Sequence, residues 1–123
     1  MDRVFIVVDP DPLVNLDLVG IIKNAFPKSR VVNTQMVSEA MPILLEGKQR
    51  SILVIRSAAL GKRLAEALKN FVARQGAVIL IGNDMTTDFP KEVVDMPFTD
   101  DMILNAISSA ASDLPVRPPA SRT

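Results

Sequence analysis

Two carboxylates and one guanidinium are the residues best placed to do chemistry. Asp9 and Asp11 follow the apolar run Val4-Phe5-Ile6-Val7-Val8, with Pro10 between them and Pro12 behind. Arg56 ends a second apolar run, Ile52-Leu53-Val54-Ile55. Acidic oxygens grouped at a strand end suit a divalent cation, which takes several oxygen ligands. A fixed positive charge among them opposes that cation. The guanidinium itself stays protonated and is not a nucleophile at neutral pH. Two readings of Arg56 follow. Either it is tethered to Asp9 as an internal substitute for metal and phosphate chemistry, or it reaches into solvent and Asp9 is only a cap. At 4 Å and an effective dielectric near 20 such a pair attracts by about 4 kcal/mol before desolvation, which can cancel most of it. An anion could instead be held by Arg56 and the amides of Gly82-Asn83. A lone glycine turn, without the spacing of a phosphate-binding loop, is weak support for that.

The elements that would deliver these groups alternate in type. Val4–Val8 is a β-branched and aromatic run of the kind a strand buried on both faces requires. Asp11 can cap a helix with Pro12 at its first position, where the missing N–H is harmless. Val14, Leu18, Ile21, Ile22 and Ala25 then recur at helical spacing until Pro27. Arg30 to Asn33 reads as a second strand. A second helix opens at Ser38-Glu39-Ala40 and ends at Gly47, with Pro42 expected in its first turn. Ser51 to Ile55 is a third strand, Lys62 to Arg74 a third helix closed by Gly76, and Ala77 to Ile81 a fourth strand. Val93 to Asp95 is a weakly signalled fifth strand. Thr99 with Asp100 and Asp101 starts the last helix, whose stripe is Ile103, Ala106, Ile107 and Ala110.

Strands alternating with helices predict an α/β, flavodoxin-like doubly wound parallel sheet of about five strands, order 2-1-3-4-5, with helices on both faces. Ligand sites in such sheets lie beyond the carboxyl ends of the strands. The groups delivered there are Asp9, Asp11, Arg56, Ser57, Gly82, Asn83 and Met96. The stretch from Gly82 to Glu92 is barely long enough for a crossover helix and is rich in weak helix formers, so a fourth crossover helix is expected to be shortened or missing. That would expose part of the flank of the fifth strand. Residues 1–111 are read as one domain and the proline-rich 112–123 as a disordered tail.

The chain has 123 residues, 14 basic and 14 acidic, so no net field draws it to nucleic acid or to an anionic membrane. It has no Trp or Tyr, which also counts against single-stranded nucleic acid. Without His or Cys, zinc sites of the usual ligand types and Ser-His-Asp or Cys-His nucleophile systems are excluded. No apolar run approaches a membrane span, and no signal-peptide core follows the N-terminus, so a cytoplasmic protein is expected.

Val4-Phe5-Ile6-Val7-Val8-Asp9-Pro10-Asp11-Pro12-Leu13-Val14 resembles the opening of a response-regulator receiver domain, and Met96-Pro97-Phe98 resembles that family's Lys-Pro-Phe turn. The resemblance covers roughly Met1 to Ala111. It implies a pocket at Asp9, Pro10, Asp11, Arg56, Gly82, Met96 and Pro97. In the family an acidic pair at the end of the first strand helps hold magnesium; Asp9 matches its first member, and the second is Pro10. The phosphoacceptor aspartate falls on Arg56, the Ser/Thr on Gly82 and the lysine on Met96, while the peptide before Pro97 is expected to be cis. A degenerate pseudo-receiver follows: no enzyme, no cofactor, no metal, signalling by phosphorylation-independent contact with a kinase, another regulator or a copy of itself. The small residues Ser108, Ser109, Ala111 and Ser112 would permit close helix packing in a homodimer. The alternative is a small-molecule, nucleotide or anion binder using the crevice at the strand ends.

Overall fold

The computed structural model describes residues 3–46, 50–82 and 89–110. Five parallel strands form one sheet in the order β2-β1-β3-β4-β5. In chain order the elements alternate up to β4, which β5 follows among the described residues: β1 (Val4–Val8), α1 (Pro12–Ala25), β2 (Arg30–Thr34), α2 (Val37–Glu46), β3 (Ser51–Arg56), α3 (Lys62–Ala73), β4 (Ala77–Ile81), β5 (Glu92–Val94) and α4 (Asp100–Ala110). A single 3-10 turn, Ser57–Ala59, links β3 to α3. Order and direction match the flavodoxin-like expectation.

The continuous apolar runs are buried because both faces of the sheet are covered. Alternate residues of each strand serve the two sides. Phe5, Val7, Ile52, Val54, Ile79, Ile81 and Val94 pack against Leu18, Ile22, Ile103 and Ile107 of α1 and α4. Ile6, Val8, Leu53, Ile55, Val78 and Leu80 pack against Leu44, Leu64, Leu68 and Phe71 of α2 and α3. Phe5 stacks on Phe26 just beyond α1, their ring centroids 5.2 Å apart. That contact fixes where α1 leaves the sheet.

Local chemistry sets the helix ends. The Asp11 carboxylate accepts the amides of Leu13 at 2.9 Å and Val14 at 3.4 Å, with Pro12 at the first helical position. Thr99 Oγ1 accepts the Met102 amide at 3.2 Å and opens α4, where Asp100 and Asp101 meet the positive end of the helix dipole. Pro42 corrects one expectation. Because α2 begins at Val37, the proline lies in the second turn, not the first. Its ring is exposed, so the lost backbone bond falls on the solvent side while Ala40 and Leu44 remain packed.

β5 comes one residue earlier than predicted, at Glu92–Val94. Gly82 and Phe89 to Lys91 are not helical, and Phe89 is buried against the α2–α3 side. Val93 is exposed, with no described residue covering it. Residues 83–88, Gly47 and the proline-rich 112–123 lie outside the described residues. No described helix is long and apolar enough to cross a membrane.

Candidate functional site

Parallel register brings the candidate residues together. Val8 pairs with Ile55, so Asp9 and Arg56 emerge side by side from the carboxyl ends of β1 and β3. Arg56 pairs with Ile81, which sets Ser57 beside Gly82 at the end of β4. Asp9 is fully buried. Arg56 Nε donates to Asp9 Oδ2 at 3.0 Å and Arg56 Nη2 donates to Oδ1 at 3.3 Å, a two-pronged ion pair. The Asp11 amide also donates to Asp9 Oδ1, at 2.9 Å. Both carboxylate oxygens are therefore engaged from inside the protein, while the arginine side chain stays 24% exposed. Of the two readings of Arg56, the tether to Asp9 is the one found.

Asp11 takes no part in that pair, because its carboxylate caps α1. Pro10 is exposed and offers no donor. The donor set thus lacks what a magnesium ion needs. One buried carboxylate is paired with a guanidinium, the second is turned to a helix end, and the cationic side chain stands at the strand ends where a cation would have to bind.

Gly82 adopts φ +112°, a backbone conformation that side chains other than glycine rarely take. A Cβ added there would sit 2.8 Å from Ser57 Oγ and 3.9 Å from Arg56 Cδ. The glycine therefore makes room for the buried Ser57 hydroxyl and for the stem of Arg56. The Gly82 amide donates to the Val94 carbonyl at 2.8 Å, which ties the ends of β4 and β5. Asn83, its predicted companion in an anion-holding turn, lies outside the described residues. Met96 is exposed, and among the described residues no hydrogen bond or ion pair joins it to Asp9 or Arg56. The Met96-Pro97 peptide is cis.

One part of the site was not anticipated from the sequence. Asn15 is buried on the inner side of α1. Its Nδ2 donates to the Asp9 carbonyl at 3.1 Å and to the Thr34 carbonyl at 2.8 Å, while its Oδ1 accepts from Asn33 Nδ2 at 3.0 Å. The Asp9 amide donates to the same Thr34 carbonyl at 3.2 Å. Asn15 thereby clamps the ends of β1 and β2 and fixes the backbone that carries Asp9. The available signal was an amide one turn before Leu18, on the stripe assigned to the core.

No protein-family model and no curated protein matches the sequence. Solved structures do match. The response regulator StyR superposes with a TM-score of 0.68 at 20% identity, over 91% of this chain and 60% of that one. A response regulator receiver domain protein from Bacillus halodurans superposes with a TM-score of 0.64 at 14% identity, over 88% of this chain and 95% of that one. The chain thus spans about 60% of the length of StyR and nearly all of the isolated receiver. Strand order, the helices on each face and these superpositions agree: the chain has the fold of response regulator receiver domains.

Proposed function

We propose that this is a pseudo-receiver, a cytoplasmic signalling module that works by protein–protein contact and accepts no phosphoryl group. The observation that carries this reading is the two-pronged Arg56–Asp9 pair. It stands where receiver chemistry, by resemblance, calls for a phosphoacceptor aspartate beside a metal-binding acidic pair. Arg56 cannot take up a phosphoryl group as a carboxylate does. Both Asp9 oxygens already accept bonds from Arg56, Pro10 supplies no carboxylate, Gly82 has no hydroxyl and Met96 has no ammonium. Three residue types that would bind metal, contact phosphate or signal its presence are thus replaced together. The same replacements support a non-enzymatic role, because no acid–base pair or activated nucleophile is assembled at the strand ends.

The test is incubation with acetyl phosphate and magnesium, followed by intact mass and peptide mapping. The expected outcome is no gain of a phosphoryl group. Acylphosphate on any aspartate would end the pseudo-receiver reading. Ligand binding in the crevice is separated by thermal shift with inorganic phosphate and nucleotides. A ligand at 100 times its dissociation constant would stabilise by about 2.7 kcal/mol, and the internally paired arginine predicts no such shift.

A further inference from the structure

The outer face of α1 carries a pattern that no contact among the described residues explains. Leu13 is 78% exposed and Leu16 is 64% exposed. With Gly20 they fall at i, i+3 and i+7, one stripe on the side opposite the buried Leu18, Ile21 and Ile22. A single exposed leucine needs no account. Gly20 does. It sits in the interior of a 14-residue helix, where glycine is less stable than alanine by about 0.5–1 kcal/mol. A Cβ at Gly20 would meet nothing within 4 Å, so no contact among the described residues demands its absence. The residue opens a shallow depression lined by Leu16, Asp17, Ile21, Lys23 and Asn24 of α1 and by Asp100 at the start of α4, which adds a second carboxylate.

An open glycine one turn beyond two exposed leucines fits the close approach of another helix. The flanking charges select which helix. Asp17 and Lys23 lie three residues before and three after Gly20, and on opposite flanks of the stripe. A two-fold axis through the Gly20 contact exchanges those ends. When the two helices cross obliquely, Asp17 of each copy comes within side-chain reach of Lys23 of the other. One patch that complements itself in shape and charge is the requirement of an isologous dimer.

We propose that α1 is a homodimer surface, two copies crossing at Gly20 with Leu13 and Leu16 buried and reciprocal Asp17–Lys23 pairs. This moves the self-contact away from the small residues of α4. It goes beyond the pseudo-receiver reading and stands independently of it, because it uses no residue of the Asp9–Arg56 crevice.

Sedimentation velocity of the full chain across a concentration series tests it, with circular dichroism to confirm folding. The expected result is a concentration-dependent monomer–dimer equilibrium. Gly20→Leu should raise its dissociation constant by about tenfold or more. Asp17→Lys and Lys23→Asp should each weaken the dimer, and the double swap should restore it, because it reverses both partners of each pair. A wild type that stays monomeric at all concentrations overturns the proposal and leaves the stripe to the helix of a different protein. A dimer indifferent to Gly20→Leu, or single charge swaps that the double swap does not rescue, overturns it as well. Neither outcome bears on phosphoryl transfer, so the two readings fail separately.

Discussion

The crevice at the strand ends and the outer face of α1 are opposites. In the crevice, buried polar groups find their partners within the chain: Asp9 in Arg56 and the Asp11 amide, Asn15 in Asp9, Thr34 and Asn33. On α1, two leucines and a glycine are exposed, and the space above the glycine is empty. The first region is a closed polar network that holds strands in register. The second presents apolar surface and an open glycine that no described residue covers. The two regions thus differ in where their groups find partners, within the chain at the strand ends and not among the described residues on the outer face of α1.

The contrast can be broken by substitution, starting where the effect should be largest. Arg56→Leu removes the counter-charge and leaves a fully buried carboxylate, so urea denaturation should show a loss of about 3–5 kcal/mol. Adding Asp9→Leu should recover much of that loss, since it removes the stranded charge. If Arg56→Leu is neutral, the pair is not the closure described here. Asn15→Leu comes next. It deletes three hydrogen bonds around Asp9 and Thr34, and a loss of about 2 kcal/mol is expected from the stranded groups. Amide exchange should quicken first at the ends of β1 and β2, which separates loss of the clamp from uniform destabilisation.

At the two glycines the same substitution should change sign. Gly82→Ala combines a disfavoured φ with a 2.8 Å approach to Ser57 Oγ, and should destabilise by about 2 kcal/mol. Adding Ser57→Ala should recover only the steric part. Gly20→Ala, in an open helix position, should stabilise the monomer by about 0.5–1 kcal/mol when melted at concentrations too dilute for association. A destabilised Gly20→Ala monomer would mean that the glycine serves the chain itself, and the two regions would then differ less than proposed.

Much of the fold was legible in the sequence. Runs such as Val4–Val8 and Ser51–Ile55 mark strands covered on both faces, and Asp11-Pro12 and Thr99-Asp100 mark helix starts through hydrogen bonds made within a few residues. Where residues several positions apart had to cooperate, reading was poorer. Pro42 was placed a turn too early because the favourable packing of Ala40 and Leu44 overrides the lost bond. β5 was placed one residue late because a three-residue edge strand has little pattern of its own.

The sequence by itself determined which chemistry the strand ends lack. Whatever the detail of packing, Arg56 puts a guanidinium and not a carboxylate at the end of β3, and Gly82 puts no hydroxyl at the end of β4. Only the tertiary structure decided what Arg56 does there. It and Asp9 are 47 residues apart in the chain, and they meet because parallel pairing of β1 with β3 aligns the ends of the two strands. The same holds for Asn15 with Asn33 and for Gly82 with Ser57. Register, a property of the folded sheet and not of any local run, sets which side chains share a strand end, and burial then makes each of those meetings either satisfied or costly.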